Sequence, residues 1–124
     1  MGYRSDLAAA FYVQDKKHLP VLKLWVDENF PVETFANEIR WFAKGMLVEE
    51  RATKWYDDYE EVQAFNVAVG KFLQLVHKKP EPDAPEFSFE FVRIGENYDD
   101  IETQYEGDHC EWLLDVRREI TMEV

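Results

Sequence analysis

Phe87-Ser88-Phe89-Glu90-Phe91 opens the stretch whose reading decides the fold; it continues through Arg93-Ile94-Gly95-Glu96 and Asp99-Asp100-Ile101-Glu102 to a final run ending at Val124. Alternation at period two sets Phe87, Phe89 and Phe91 on one side of a strand and Ser88 and Glu90 on the other. The final run repeats the pattern, with Trp112, Leu114, Val116, Ile120 and Met122 against Asp115, Arg117, Glu119, Thr121 and Glu123. The two runs predict a long hairpin around an acidic insert, each strand with one wet face. On that face Glu90, Arg51, Arg117 and Glu119 are placed to form a charged ladder.

Outward from the hairpin, Pro80, Pro82 and Pro85 with acids between them read as an extended connector, too short to separate domains. Before it, Val62, Phe65, Val69, Phe72, Leu73 and Val76 make the buried stripe of a helix. Asp57, Asp58, Glu60 and Glu61 lie at its start and His77-Lys78-Lys79 at its end, both favourable to the helix dipole. Met46 to Tyr56 reads as a strand. Val32, Phe35, Ile39 and Phe42 recur at helical spacing, with Gly45 as a left-handed cap, and Pro31 separates this helix from an earlier one over His18 to Glu28. Leu7, Ala9, Phe11 and Val13 alternate with Ala8, Ala10 and Tyr12, so both faces of the first strand are apolar and it belongs in the middle of a sheet.

The order strand, helices, strand, helix, strand, strand predicts a two-layer α+β fold over residues 1–124: a mixed sheet of roughly four strands, helices on one face, the other face solvated or covered by a partner. With 46% apolar and 15% aromatic residues the 124-residue chain can fill one core without a metal or disulfide. The lone Cys110, the lack of a signal-peptide pattern and the lack of any run near the ~20 apolar residues of a membrane span point to a cytoplasmic protein.

Charge is the largest functional clue. Glu81 to Asp115 holds twelve Asp and Glu against one Arg, most of the formal charge of −12. Such a chain is repelled by nucleic acid and by anionic membranes and attracts basic partners. The candidate interaction residues are Glu96, Asp99, Asp100, Glu102, Glu106, Asp108 and Glu111. Three readings of them stand open: a nucleic-acid mimic facing a basic protein, a cation or small-ligand site, and a solvated loop. As a calcium loop the stretch lacks the alternating Asp-x-Asp/Asn series, and Ile101 falls on a ligand position. Asp99, Glu102 and Glu106 also share one face of a hypothetical short helix.

Catalysis has little support. Ser5 and Ser88 sit in no nucleophile elbow, His18, His77 and His109 have no triad or metal spacing, and Cys110 beside His109 is read as an ordinary thiol at a strand start. No catalytic residue, metal ligand or cofactor is assigned. Trp41 and Trp55 fall outside the apolar stripes and are candidate interface anchors.

Met1-Gly2-Tyr3-Arg4-Ser5-Asp6 before an alternating apolar run, Lys54-Trp55-Tyr56-Asp57 before a helix, and Arg93-Ile94-Gly95-Glu96 with Asp99-Asp100-Ile101-Glu102 and Tyr105-x-Gly107 resemble a family of small uncharacterised proteins from tailed phages and prophage-bearing bacteria. Residues 30 to 45 and the Pro-rich connector lie outside the resemblance, which implies origin more than chemistry. The expectation is a non-enzymatic, phage-related protein whose acidic stretch binds a basic host protein, as a nucleic-acid mimic or anti-defence factor. The alternatives are a ligand- or divalent-cation-binding domain and a self-associating assembly protein, hence a homo-oligomer.

Overall fold

A strand that is apolar on both sides of its pleat is stable only with a layer above and a layer below. The computed structural model, which describes residues 2–78, 81–116 and the backbone of 120–122, gives β1 (Ser5–Val13) both. It is the middle strand of a five-stranded antiparallel sheet ordered β2-β3-β1-β4-β5, where β2 is Ile39–Phe42, β3 Gly45–Thr53, β4 Phe87–Gly95 and β5 Ile101–Glu106. Only Asp6 among the nine residues of β1 is not buried.

One face carries α1 (Leu19–Asn29) and α2 (Glu60–Val76). Pro20 occupies the first turn of α1, where its missing N–H costs nothing. Ala9, Phe11 and Val13 of β1, with Met46, Val48 and Phe89, meet Leu22 and Val26 of α1 and Phe65, Ala68 and Phe72 of α2. Phe11 is the hub of this layer. Its ring lies 5.4 Å from Phe30, 5.1 Å from Phe72, 5.1 Å from Phe89 and 6.2 Å from Phe65, mostly edge to face.

The opposite face of Ala8, Ala10, Tyr12, Leu47, Val92 and Ile94 is closed by the chain's own later segment, through Leu113 and Leu114. There β6 (Leu114–Val116) pairs with β7 (Ile120–Met122) as a separate two-stranded sheet. The expectation of an open second face is thereby overturned, and so is the long hairpin: β4 pairs with β1 and β5, not with the final run. The sheet has five strands, not about four, and is antiparallel throughout. Glu90, expected on a wet ladder, is fully buried. Arg51 is exposed and pairs with Asp6 and Glu49; Arg117 and Glu119 lie outside the described residues.

Two further expectations change. Residues 32–38 form successive turns and Ile39–Phe42 a strand, not one helix. The reason is local: Ile39 to Phe42 lie opposite Val48 to Gly45 across a tight hairpin, so ladder bonds replace helical ones. Gly45 is then no helix cap. It sits opposite Tyr12, where an added Cβ would run into Phe11 O and the Tyr12 side chain. The acids Glu102 and Glu106 lie on a strand, which removes the short-helix alternative. Among the described residues no helix is long and apolar enough to cross a membrane.

Because four rings converge on Phe11, its truncation to Ala should cost about 3–5 kcal/mol. Chemical denaturation of Phe11→Ala measures this; a loss under about 1 kcal/mol would mean that the aromatic layer re-closes around the gap.

Candidate functional site

The acidic stretch does not form one patch, because the fold pairs most of its members. β4 ends at Gly95 and the chain reverses: the Gly95 N–H donates to Asp100 O (2.8 Å) and the Asp100 N–H to Asn97 O (3.0 Å). This turn aims the Asp100 carboxylate at Arg93. Nη1 donates to Asp100 Oδ2 (3.2 Å) and Nη2 to Oδ1 (2.7 Å), a two-pronged ion pair. Nε of the same guanidinium donates to Glu102 Oε1 (2.8 Å) and Nη1 to Ser5 Oγ (2.9 Å). The N-terminal segment locks onto this cluster. Tyr3 Oη donates to Asp100 Oδ2 (2.6 Å), the Arg4 N–H donates to Glu96 Oε1 (2.9 Å), and the Tyr3 N–H donates to Tyr56 Oη (2.5 Å). Gly95 leaves the room for this, since a Cβ there would fall on the Asp100 carboxylate and the Tyr3 hydroxyl. Arg93 and then Tyr3 hold the Asp100 carboxyl below its ordinary value, and Asp100 with Glu102 raises the Arg93 guanidinium.

Farther along, Glu106 pairs with His77 (3.2 Å) and Glu111 with Lys44 (2.6 Å). Asp99 and Asp108 remain exposed without an ion pair among the described residues. Of the seven carboxylates expected to act together, five are thus engaged within the chain.

A second constellation was invisible in the sequence. Glu90 projects from β4 beside Ala10, whose small side chain leaves space over the sheet. Its carboxylate accepts from Tyr12 Oη (2.5 Å), from the Leu113 N–H (3.0 Å) and the Leu114 N–H (2.9 Å), and from Cys110 Sγ (3.3 Å). Tyr12 Oη in turn accepts from the Glu111 N–H (2.6 Å), and Tyr105 Oη donates to Leu114 O (2.8 Å). Trp112 has φ 55, a left-handed turn that lets neighbouring amides converge on one carboxylate. Burial first, then the bond to Glu90, pushes the Tyr12 phenol well up, and burial raises the Cys110 thiol. A thiol so held is a hydrogen-bond donor rather than a nucleophile. His109, next in sequence, turns away to Glu86 (2.7 Å).

Trp112 itself, read as core-facing, is 64% exposed and stacks on Tyr105 with ring centroids 4.1 Å apart. Of the two tryptophans proposed as anchors, Trp55 packs on Phe65 (5.2 Å) and Trp41 is 39% exposed under the Lys23 ammonium.

Acids from other parts of the chain gather at one end of the sheet. The β1 residue Ser5 lies opposite both Thr53 and Gly95, so the end of β3, the approach to α2 and the β4–β5 turn share that end. It holds Asp57, Asp58, Glu60 and Glu61, and Glu96, Asp99 and Asp100, bridged by Tyr3-Arg4. Glu50 lies close by, its carboxyl raised by burial and then by Glu38 and Glu61. At the opposite end an apolar cavity of about 290 Å³ is lined by Val21, Trp25, Leu75, Val76, Pro85 and Phe87, with Lys78, Glu81, Glu86, Asp108 and His109 as its polar lining. No three His, Cys, Asp or Glu among the described residues are gathered as a metal ion requires.

Compared with protein-family models, curated proteins and solved structures, the chain has no match.

Replacing Glu90 with Ala leaves Tyr12 and two amides without an acceptor in a closed layer, at a cost of about 3–5 kcal/mol. Urea melts of Glu90→Ala should show that loss, together with recovery of far less than half of it in Tyr12→Phe/Glu90→Ala; a loss under about 1 kcal/mol would remove the role given to the carboxylate. Asp100 titrates below its unfolded value, so its contribution is present above that value and disappears as pH falls through the lower, folded one. The melting temperature should drop from about pH 4 downward. Asp100→Asn should start lower at neutral pH and fall less steeply in that window, and parallel curves for the two proteins would refute the linkage.

Proposed function

We propose that the protein is a non-enzymatic interaction protein that binds a basic surface of another protein through the acidic end of its sheet. The observation that carries this reading is the convergence there of carboxylates from distant stretches: Glu38 and Glu50, Asp57 to Glu61, and Glu96 to Asp100. Among the described residues four cations neighbour them: Arg93 is committed to Asp100 and Glu102, Arg51 to Asp6 and Glu49, Arg4 donates to the Ala52 carbonyl, and Lys54 lies beside Gly2 and Tyr56. Burial raises the Glu50 carboxyl first and repulsion from Glu38 and Glu61 adds to it; a cationic partner relieves that repulsion on contact.

Within this reading the resemblance to tailed-phage proteins supplies the setting: a host protein that handles nucleic acid, whose basic surface ordinarily meets phosphates. The seven-residue stretch itself is a lesser part of the surface, because Asp100, Glu102, Glu106 and Glu111 are engaged inside the chain. Support for a non-enzymatic role comes from the Cys110 thiol, raised by burial and hydrogen-bonded to Glu90, and from Ser5 Oγ being held by Arg93.

The test is affinity capture from a bacterial lysate, followed by titration of the purified, recovered protein. A basic protein whose binding weakens as salt rises is expected. Asp57→Asn/Asp58→Asn/Asp99→Asn, all exposed, should weaken it at least about tenfold. Unchanged affinity in that triple variant would reject the acidic end as the binding surface.

A further inference from the structure

The two edges of the five-stranded sheet are chemical opposites. Among the described residues neither β2 nor β5 has a ladder partner on its outer side. On β2, Arg40 lies opposite Leu47 and so points to the face covered by residues 113–116, while Ile39 and Trp41, opposite Val48 and Met46, share the helix face. Arg40 is exposed and makes no ion pair among the described residues. On β5 the pattern is reversed. Glu102, Gln104 and Glu106 lie opposite Arg93, Phe91 and Phe89 on the helix face, while Ile101, Thr103 and Tyr105 lie on the other, beside the exposed Trp112.

From this we infer that a second copy of the chain is the partner of these edges, with β2 of one copy adding antiparallel to β5 of the next. β2 and β5 run in the same direction within one sheet, since each is separated from β1 by one antiparallel neighbour. To pair them antiparallel, the second copy turns over about the axis that crosses the strands. Turning over exchanges its faces. Arg40 then lies on the side of Glu102 and Glu106, adding to the ion pairs these make with Arg93 and His77, while Phe42 on the same side stays packed on Tyr12 of its own copy. Ile39 and Trp41 lie on the side of Ile101, Tyr105 and Trp112, so apolar meets apolar. Other edge pairings fail this test. Two β5 edges paired antiparallel set Glu102 and Glu106 against their own copies, and paired parallel, with faces exchanged, set them against Ile101 and Tyr105; two antiparallel β2 edges oppose Arg40 to Arg40. Parallel pairing of β5 with β2 puts Trp41 among the glutamates.

The contact is heterologous: each copy uses a different edge, so copies add head to tail and successive ones alternate the side on which their helices lie. Four residues of β2 form a small interface, which makes association weak, concentration-dependent and sensitive to salt. The inference does not use the acidic end proposed above as the binding surface.

Sedimentation velocity of the whole protein from micromolar to submillimolar concentration, at low and high salt, is the test. The weight-average mass should climb with concentration and climb less at high salt. Arg40→Glu, which spoils the β2 edge, and Gln104→Arg, which places a cation between the two glutamates of β5, should each sediment as monomers, with circular dichroism unchanged. Mixed at equal amounts they should associate again, because each retains the edge the other has lost. A wild type that stays monomeric throughout, variants that associate as the wild type does, or a mixture no heavier than its components would each overturn the inference. Asp57→Asn/Asp58→Asn/Asp99→Asn should assemble like the wild type, which separates this outcome from failure of the basic-partner reading.

Discussion

A carboxylate with no water around it is tolerated only where donors replace the solvent it has lost. At Glu90 those donors are a phenol from the central strand, two main-chain amides of the segment after Trp112 and a thiol. The arrangement binds in both senses: the carboxylate needs the segment for its solvation, and the segment needs the carboxylate as acceptor for the Leu113 and Leu114 amides. Alanines at positions 8 and 10 keep the floor low enough for main chain to come that close. The second layer of the molecule depends on this one group, since without it the apolar surface of Tyr12, Leu47 and Val92 would face water.

Charge in this protein divides into two populations. Around Arg93, carboxylates act as structural partners that fasten the residues before β1 to the β4–β5 turn. Around the start of α2, carboxylates lie near one another, and Glu38 and Glu61 add to the effect of burial in raising the Glu50 carboxyl. A net charge of −12 says nothing about that division. Three-dimensional neighbours decide it, and they make the less conspicuous run from Asp57 to Glu61 more available to a partner than the denser stretch after Glu96.

The central position of β1 was legible because an apolar run without a polar face does not suit a sheet edge, whereas the covering of its second face by Leu113 and Leu114 was not. Legible too were α1 and α2, from the three-and-four spacing of Leu22 and Val26 and of Val62, Phe65 and Phe72. The segment from Val32 to Phe42 was misread because Phe35 and Ile39 satisfy helical spacing while the ladder with β3 decides the conformation of Ile39 to Phe42. Glu90 was misread for a different reason. Alternation assigns a side of the strand, but it does not tell whether that side is wet; that depends on Leu113 and Leu114, more than twenty residues away in sequence. Trp112 failed in the reverse sense, its left-handed backbone breaking the alternation at one residue and turning the ring outward.

The Tyr12–Glu90 bond joins residues 78 apart, and its two members become neighbours only once β1 and β4 are in register. The entropic cost of closing such a loop grows only with the logarithm of its length, so the separation in sequence is a minor obstacle to the pairing. The face that the final segment covers exists only when that register is made, so docking of the segment is conditional on the pairing of β1 with β4. Dehydration of the Glu90 carboxylate and docking of the segment are thermodynamically linked, each supplying what the other lacks.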